Sequence, residues 1–257
     1  KVRADEYDQN RHFFLAHWFR DNYDRFASKL PFVSSGIKIT RIEVWVTNKN
    51  SRFDQSRNFV AFEDLGETTH LASSYWQPTG TLPIPTNSSN NLLSVIKTDY
   101  PGARNINTVT QALAPLSAYG IDGGSDYEKV ESARLLTSSE YTLNSTLGYI
   151  SLKSALSADE VLAVAYEYTY NGQVYQVGEF SADVTTTDQS LYLKMLKSTT
   201  VDPKAPMWDL MMKNVYSLGA YQVQKQNFRL NIKYLSDTTG TEINYLPIPS
   251  ISNVPLL

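Results

Sequence analysis

A chain of 257 residues is long enough to bury one large core or two smaller ones. Its net charge of −3, with Lys/Arg and Asp/Glu mixed along the sequence, leaves no polybasic footprint and argues against nucleic-acid binding. There is no cysteine, so disulfides, thiolate zinc sites and thiol catalysis are excluded, and no apolar run approaches the ~20 residues of a membrane-spanning helix.

The opening KVRADEYDQN has neither an initiator Met nor a signal h-region, so the chain is expected to be excised from something longer or processed. Seventeen tyrosines in a Ser/Thr/Asn-rich background favour pleated surfaces and β-rich structure. Asn10 is expected to cap a helix from Arg11 to about Leu30. Leu15, Phe19, Tyr23, Phe26 and Leu30 recur at helical spacing on one stripe, and Pro31 stops it. His12 and His17 stand five residues apart with no other ligand near. With Trp18 they read as packing on the helix flank, not as a metal site.

Ile37 to Thr47 is a predicted strand whose apolar phase changes between Ile39 and Ile42, which calls for a bulge or burial on both faces. A polar loop, Asn48 to Arg57, leads to a second strand from Asn58 to Asp64. Asp64, Glu67 and His70 invite a metal or acid/base reading, but no spacing rule supports it and they read as solvated polar side chains of a surface loop. Trp45 and Trp76 could stack on sugar rings; core packing is the better account of both. Tyr75 to Asn91 contains three prolines and is an irregular connection. Leu92 to Pro115 reads as two short helices around Tyr100-Pro101-Gly102.

Tyr119 to Asp126, YGIDGGSD, is the best internal boundary. It divides the chain into residues 1–118, a helix plus a β-rich module, and 119–257, a second β-rich module. Asp122 and Asp126 lack the remaining ordered oxygen ligands of a calcium loop, so this stretch is a linker or loop. Tyr127 to Leu136 is a strand, and Tyr141 to Leu152 a strand, a turn at Asn144 to Gly148 and a strand.

The clearest local signal is the alternation from Val161 to Tyr170, followed by Asn171-Gly172, the dipeptide suited to a two-residue type I′ turn. The turn sets Tyr168 opposite Tyr175, Tyr166 opposite Val177 and Glu167 opposite Gln176, and a one-residue slip destroys the match of faces. Asp202 to Pro206 breaks the chain before Met207, Met211, Val215 and Leu218, a Met-rich helical stripe read as core filler. Phe228 to Tyr234 is a one-faced strand, and Ser236 to Thr241 turns it back through Ile243 to Leu246. The predicted fold is α+β, predominantly antiparallel β in β-sandwich-like modules, with an N-terminal helix and a few short helices.

Common catalytic arrangements are missing parts: there is no G-x-S-x-G elbow, phosphate loop, dinucleotide fingerprint or H-E-x-x-H. A glycosidase carboxylate pair need not be close in sequence, but no pair stands out. No catalytic, cofactor-binding or metal-binding residue is assigned, no cofactor is expected, and the reading is non-enzymatic.

Longer motifs go further. RHFFLAHWFRDNYD (Arg11–Asp24), ITRIEVWVTN (Ile39–Asn48), RNFVAFEDLGE (Arg57–Glu67) and SARLLTSSEYTLNSTLGYISL (Ser132–Leu152) follow one another in order. After them come AYEYTYNGQVYQVGEF (Ala165–Phe180), MWDLMMKNVYSL (Met207–Leu218) and FRLNIKYLSDTTGTEINYLP (Phe228–Pro247). In order and spacing they resemble the SprA/Sov family, the very large cell-surface proteins linked to gliding motility and type IX secretion in Bacteroidetes. The resemblance implies a fragment of an outer-membrane translocon, a giant β-barrel through which folded cargo leaves the periplasm. It further implies a cell-envelope location and protein partners: the translocon barrel, accessory subunits or exported cargo. The fragment lacks serial lipid-facing strands, so it is expected not to span the membrane itself. The competing expectation is a carbohydrate-binding β-sandwich using Trp45 or Trp76.

Overall fold

The computed structural model describes residues 1–49, 55–69, 71–80, 82–220, 222, 224, 226, 228–248 and 254–255. A first short strand, β1 (His12–Phe14), precedes helix α1 (His17–Ala27), then β2 (Ile37–Val46) and β3 (Ser56–Phe62). Helices α2 (Leu92–Asp99) and α3 (Val109–Leu113) follow, each continued by a 3-10 segment, Pro101–Arg104 and Ala114–Tyr119. Then come β4 (Tyr127–Leu135), β5 (Tyr141–Asn144), β6 (Tyr149–Leu152), β7 (Leu162–Tyr170), β8 (Gln173–Val177) and β9 (Leu191–Lys197).

The main sheet runs β2-β4-β3-β9-β7-β8, and β2 also pairs with β7, so five strands close into a barrel-like ring with β8 attached to β7. The predicted β-sandwich is therefore replaced by one sheet curled on itself. Irregular register explains how it curls, because an extra residue bends a strand and increases its twist. One shift lies between Ile39 and Arg41 in β2, where the sequence changes phase, and another between Arg57 and Phe59, opposite Ser132 with φ 49°. A third lies between Leu162 and Ala163. All pairings in the ring are antiparallel except β3 with β9. Every residue of β9 is buried, which is why its sequence, LYLKMLK, does not alternate.

The hairpin forms in the predicted register, with Tyr166↔Val177, Glu167↔Gln176 and Tyr168↔Tyr175, and with Asn171 and Gly172 at φ 50° and 77°. The predicted strand–turn–strand of 141–152 is β5 and β6, and β1 adds to β6. Here the N-terminal prediction needs correction: Arg11 to Ala16 is not helical. The run His12-Phe13-Phe14 finds a ladder partner in Tyr149–Ser151, and α1 begins only at His17. Phe19 and Phe26 of the predicted stripe are buried, but Leu30 lies beyond the helix and is exposed.

The Met-rich helix is also corrected. Residues Pro206–Leu210 form a 3-10 turn, after which Met211 is extended (φ −76°, ψ 127°) and bridges Phe13, while the Met212 amide donates to the His12 carbonyl at 2.9 Å. The free edge of β1 wins these backbone groups from the helix.

Contacts cluster the chain into Lys1–Tyr216 and Ser217–Leu257, whereas the sequence put its boundary at 118/119. In the second unit Tyr234–Leu235 pairs with Glu242–Ile243, the predicted return. Phe228, Leu230 and Ile232 lie outside any ladder among the described residues and are exposed, so of the predicted strand only its last residue, Tyr234, pairs.

Candidate functional site

β3 leaves the sheet through Glu63-Asp64-Leu65-Gly66-Glu67. Carboxylates so close together suggest a solvated turn, yet Glu63, Asp64 and Glu67 are only 3%, 2% and 1% exposed. The expectation that Asp64 and Glu67 are solvated on a surface loop is thus overturned; His70 lies outside the described residues. Asn90 closes the turn: its Nδ2 donates to the carbonyls of Asp64 (2.7 Å) and Glu67 (3.1 Å), and its Oδ1 accepts the Leu92 amide at the start of α2.

Glu67 Oε1 is the centre of the cluster. It meets Lys194 Nζ at 2.8 Å, His17 Nδ1 at 3.0 Å and the His17 backbone amide at 3.2 Å. That amide opens α1, whose N-cap residue Ala16 supplies no side-chain bond, so a glutamate fifty residues away does the capping expected of Asn10. His17 Nε2 lies 2.8 Å from the Pro206 carbonyl, so both ring nitrogens face acceptors. Lys194 comes from β9, opposite Val164 and Phe62, and its Nζ also donates to the Glu63 carbonyl. The Glu63 carboxylate accepts the Met207 amide at 2.7 Å. The cluster therefore ties α1, the turn after β3, strand β9 and the Pro206–Leu210 turn together.

Its electrostatics follow from enclosure. Burial pushes Glu67 up, but Lys194 and His17 outweigh it and hold the carboxyl at about 2. Burial pushes Asp64 up to about 7, against the amides of Ala72 and Ser73 and the charge of Lys194. Burial also raises Glu63, although Lys194 and the Met207 amide pull the other way. A second knot lies at Glu179, whose carboxylate meets both Arg104 nitrogens at 2.5 and 2.6 Å and Lys97 at 2.8 Å. Burial opposes its ionisation, but Arg104 and Lys97 hold it below the usual range.

Geometry scatters the other residues weighed from sequence. His12 stands in β1 with Nδ1 2.8 Å from Ser151 Oγ, apart from the His17 cluster. Trp45 and Trp76 are 1% and 2% exposed, as core packing requires, and neither offers a sugar platform. Asp126 accepts the Asp122 amide and the Ser125 hydroxyl, and so closes its own loop. Among the described residues, no group of three or more His, Cys, Asp or Glu could hold a metal ion. A cavity of about 110 Å³ is lined by Phe13, Leu196, Lys197, Met207, Trp208 and Met211, among others. Lys197 Nζ beside it already donates to the carbonyls of Ala158, Glu160 and Ser198.

Sequence reasoning missed Lys194. Its signal was present: a lone lysine at the centre of an apolar strand must find buried carboxylates or leave the fold. The arrangement fixes elements to one another; its charged groups are paired internally and enclosed.

A search of curated proteins finds no match. Residues 1–118 match the family model SprA_N, described as motility related/secretion protein. No helix among the described residues is long and apolar enough to cross a membrane. The match covers the first 118 residues and supports the reading of the chain as a fragment of a SprA/Sov-family protein; a motility- and secretion-related family fits a cell-envelope protein.

Proposed function

We propose that the chain is a non-catalytic structural and interaction module of an outer-membrane protein-secretion translocon, serving cell-surface protein export and gliding motility. Its contacts would be with the translocon barrel, accessory subunits or exported cargo. One observation carries the reading. The titratable groups that cluster, His17, Glu63, Glu67 and Lys194, are sealed in the interior, whereas Leu30 and Phe32 stand 66% and 79% exposed on the turn after α1. Buried, paired charges hold a shape, and exposed bulky apolar side chains are the usual anchors of protein contacts.

The family assignment supports the same direction, because secretion machinery works by contact with other proteins. The carbohydrate-binding alternative loses its proposed platform with the burial of Trp45 and Trp76. A pull-down from envelope extracts with the wild-type chain and with Leu30→Ser/Phe32→Ser tests the proposal. Recovery of secretion components that falls in the double variant is expected. Hydrolytic turnover, or glycan binding with no protein recovered, would overturn it.

A further inference from the structure

Three tyrosines distant in sequence meet at the surface of the helical segment. Tyr75 belongs to the loop that follows the Asp64 turn, Tyr100 ends α2, and Tyr119 ends the second 3-10 segment. The rings of Tyr75 and Tyr119 lie 4.3 Å apart with a tilt of 33°, and the hydroxyls of Tyr75 and Tyr100 are 3.4 Å apart. Ser73 fixes the pair: its Oγ donates to the Tyr119 carbonyl at 3.1 Å and accepts the Tyr75 amide at 3.2 Å. The Ser73 amide in turn reaches Asp64 Oδ2 at 3.4 Å, and the buried Trp76 meets Tyr75 edge-on at 5.0 Å. The patch is thus anchored in the core, while Tyr119 remains 55% exposed.

The Asp99 carboxylate lies close enough to act on the Tyr100 hydroxyl, which is pushed up to about 12 by its bond to Tyr75, then by burial and by the proximity of Tyr75, Tyr119 and Asp99. Asp122, just beyond Tyr119, accepts the Ser117 hydroxyl at 2.6 Å and adds a second carboxylate to this segment. Lys97, the basic residue in the last turn of α2, pairs with Glu179 at 2.8 Å. Exposed ring faces carry negative quadrupole potential and attract ammonium and guanidinium groups.

We propose that the Tyr75–Tyr100–Tyr119 patch docks a cationic side chain, an arginine or lysine of a protein partner, over the exposed Tyr119 ring with Asp99 as counter-charge. This gives a partner chemistry to the protein-contact reading and rests on it, but its test is separate. The full chain is titrated with an acetylated Arg-Gly-Arg peptide while the Tyr119 ring resonances are followed by NMR. A citrulline-Gly-citrulline peptide, neutral and of the same shape, is the control.

A saturable shift with the arginine peptide and none with the citrulline peptide is expected. Tyr119→Leu should weaken binding about two- to fivefold, the scale of an exposed cation–π contact, and Tyr119→Phe should restore it. Asp99→Asn should weaken it as well. An unmoved Tyr119 ring, an equal response to the citrulline peptide, or an equal response to a maltooligosaccharide would overturn the inference. Those outcomes leave recovery of secretion components through Leu30 and Phe32 as it was, so the two failures are distinguishable.

Discussion

Replacing Lys194 by methionine keeps the reach of the side chain and removes its charge. Lys194 is fully buried, its Nζ 2.8 Å from Glu67 Oε1 and bonded to the Glu63 backbone carbonyl, so the variant leaves the buried Glu67 carboxylate without its cation and the Glu63 carbonyl without its donor. Breaking a buried pair from one side costs about 3–5 kcal/mol. Lys194 and His17 together hold Glu67 at about 2 instead of its ordinary 4.5, a shift worth on the order of 3 kcal/mol that the two partners share. Because the folded value is depressed, that stability is present above about pH 4.5 and lost as pH falls through about 2.

Urea melts near neutral pH should therefore show Lys194→Met less stable by about 3–5 kcal/mol. Adding Glu67→Gln should recover part of the loss, since a neutral pair leaves no orphan charge. The acid limb of the single variant should also move to higher pH, because burial then acts on Glu67 without Lys194 to oppose it. A midpoint within about 0.5 kcal/mol of wild type, the range of an ordinary surface change, would refute the claim that this cluster fastens the fold.

Three more outcomes follow from the same structure. A Cβ at Gly148, where φ is 66°, would lie 2.0–2.3 Å from the buried Phe19 ring, so Gly148→Ala should cost about 3 kcal/mol or more by thermal melt. Gly172→Val has open space and only the backbone at φ 77° to strain, so it should cost roughly 1–3 kcal/mol; equal effects would contradict both assignments. Asp64 is raised to about 7 from an ordinary 3.8, so the fold favours its neutral form. Wild-type stability should decline as pH rises from about 4 through 7, and Asp64→Asn should flatten that slope in pH-dependent urea melts. Finally, residues 1–118 hold β2 and β3 of the ring but none of their partners β4, β7 and β9, so this piece should show no cooperative melt by circular dichroism. Residues 1–216 should melt as one unit.

Local rules were legible where local chemistry decides. The Asn171-Gly172 turn and its cross-strand pairs, the β2 phase change and the 144–148 turn could all be read directly, because turn dihedrals and period-two faces are sequence-local. Partner choice was not. Asn10, as a cap ahead of the stripe that starts at Leu15, draws Arg11 to Phe14 into the predicted helix, but their backbone is claimed by β6 and Met212. Met211 lost its helical spacing to the same edge. The closed ring depends on β2 meeting β7 across more than a hundred residues, which no single-segment period encodes. The charged cluster was hidden for the same reason: Glu67, Lys194 and His17 read as separate polar residues until the fold brings them within 3.2 Å.

The central claim, a module that works by contact with proteins of the secretion machinery, is tested most directly in living cells. A photo-crosslinking amino acid is placed at Phe32, the most exposed large apolar side chain described, within the native parent protein. Illumination should give discrete adducts with envelope proteins of the secretion apparatus or its cargo, identified by mass spectrometry, and fewer when Leu30 is also changed to serine. Adducts confined to lipid or glycan, or none above those of a buried control position such as Trp45, would contradict it.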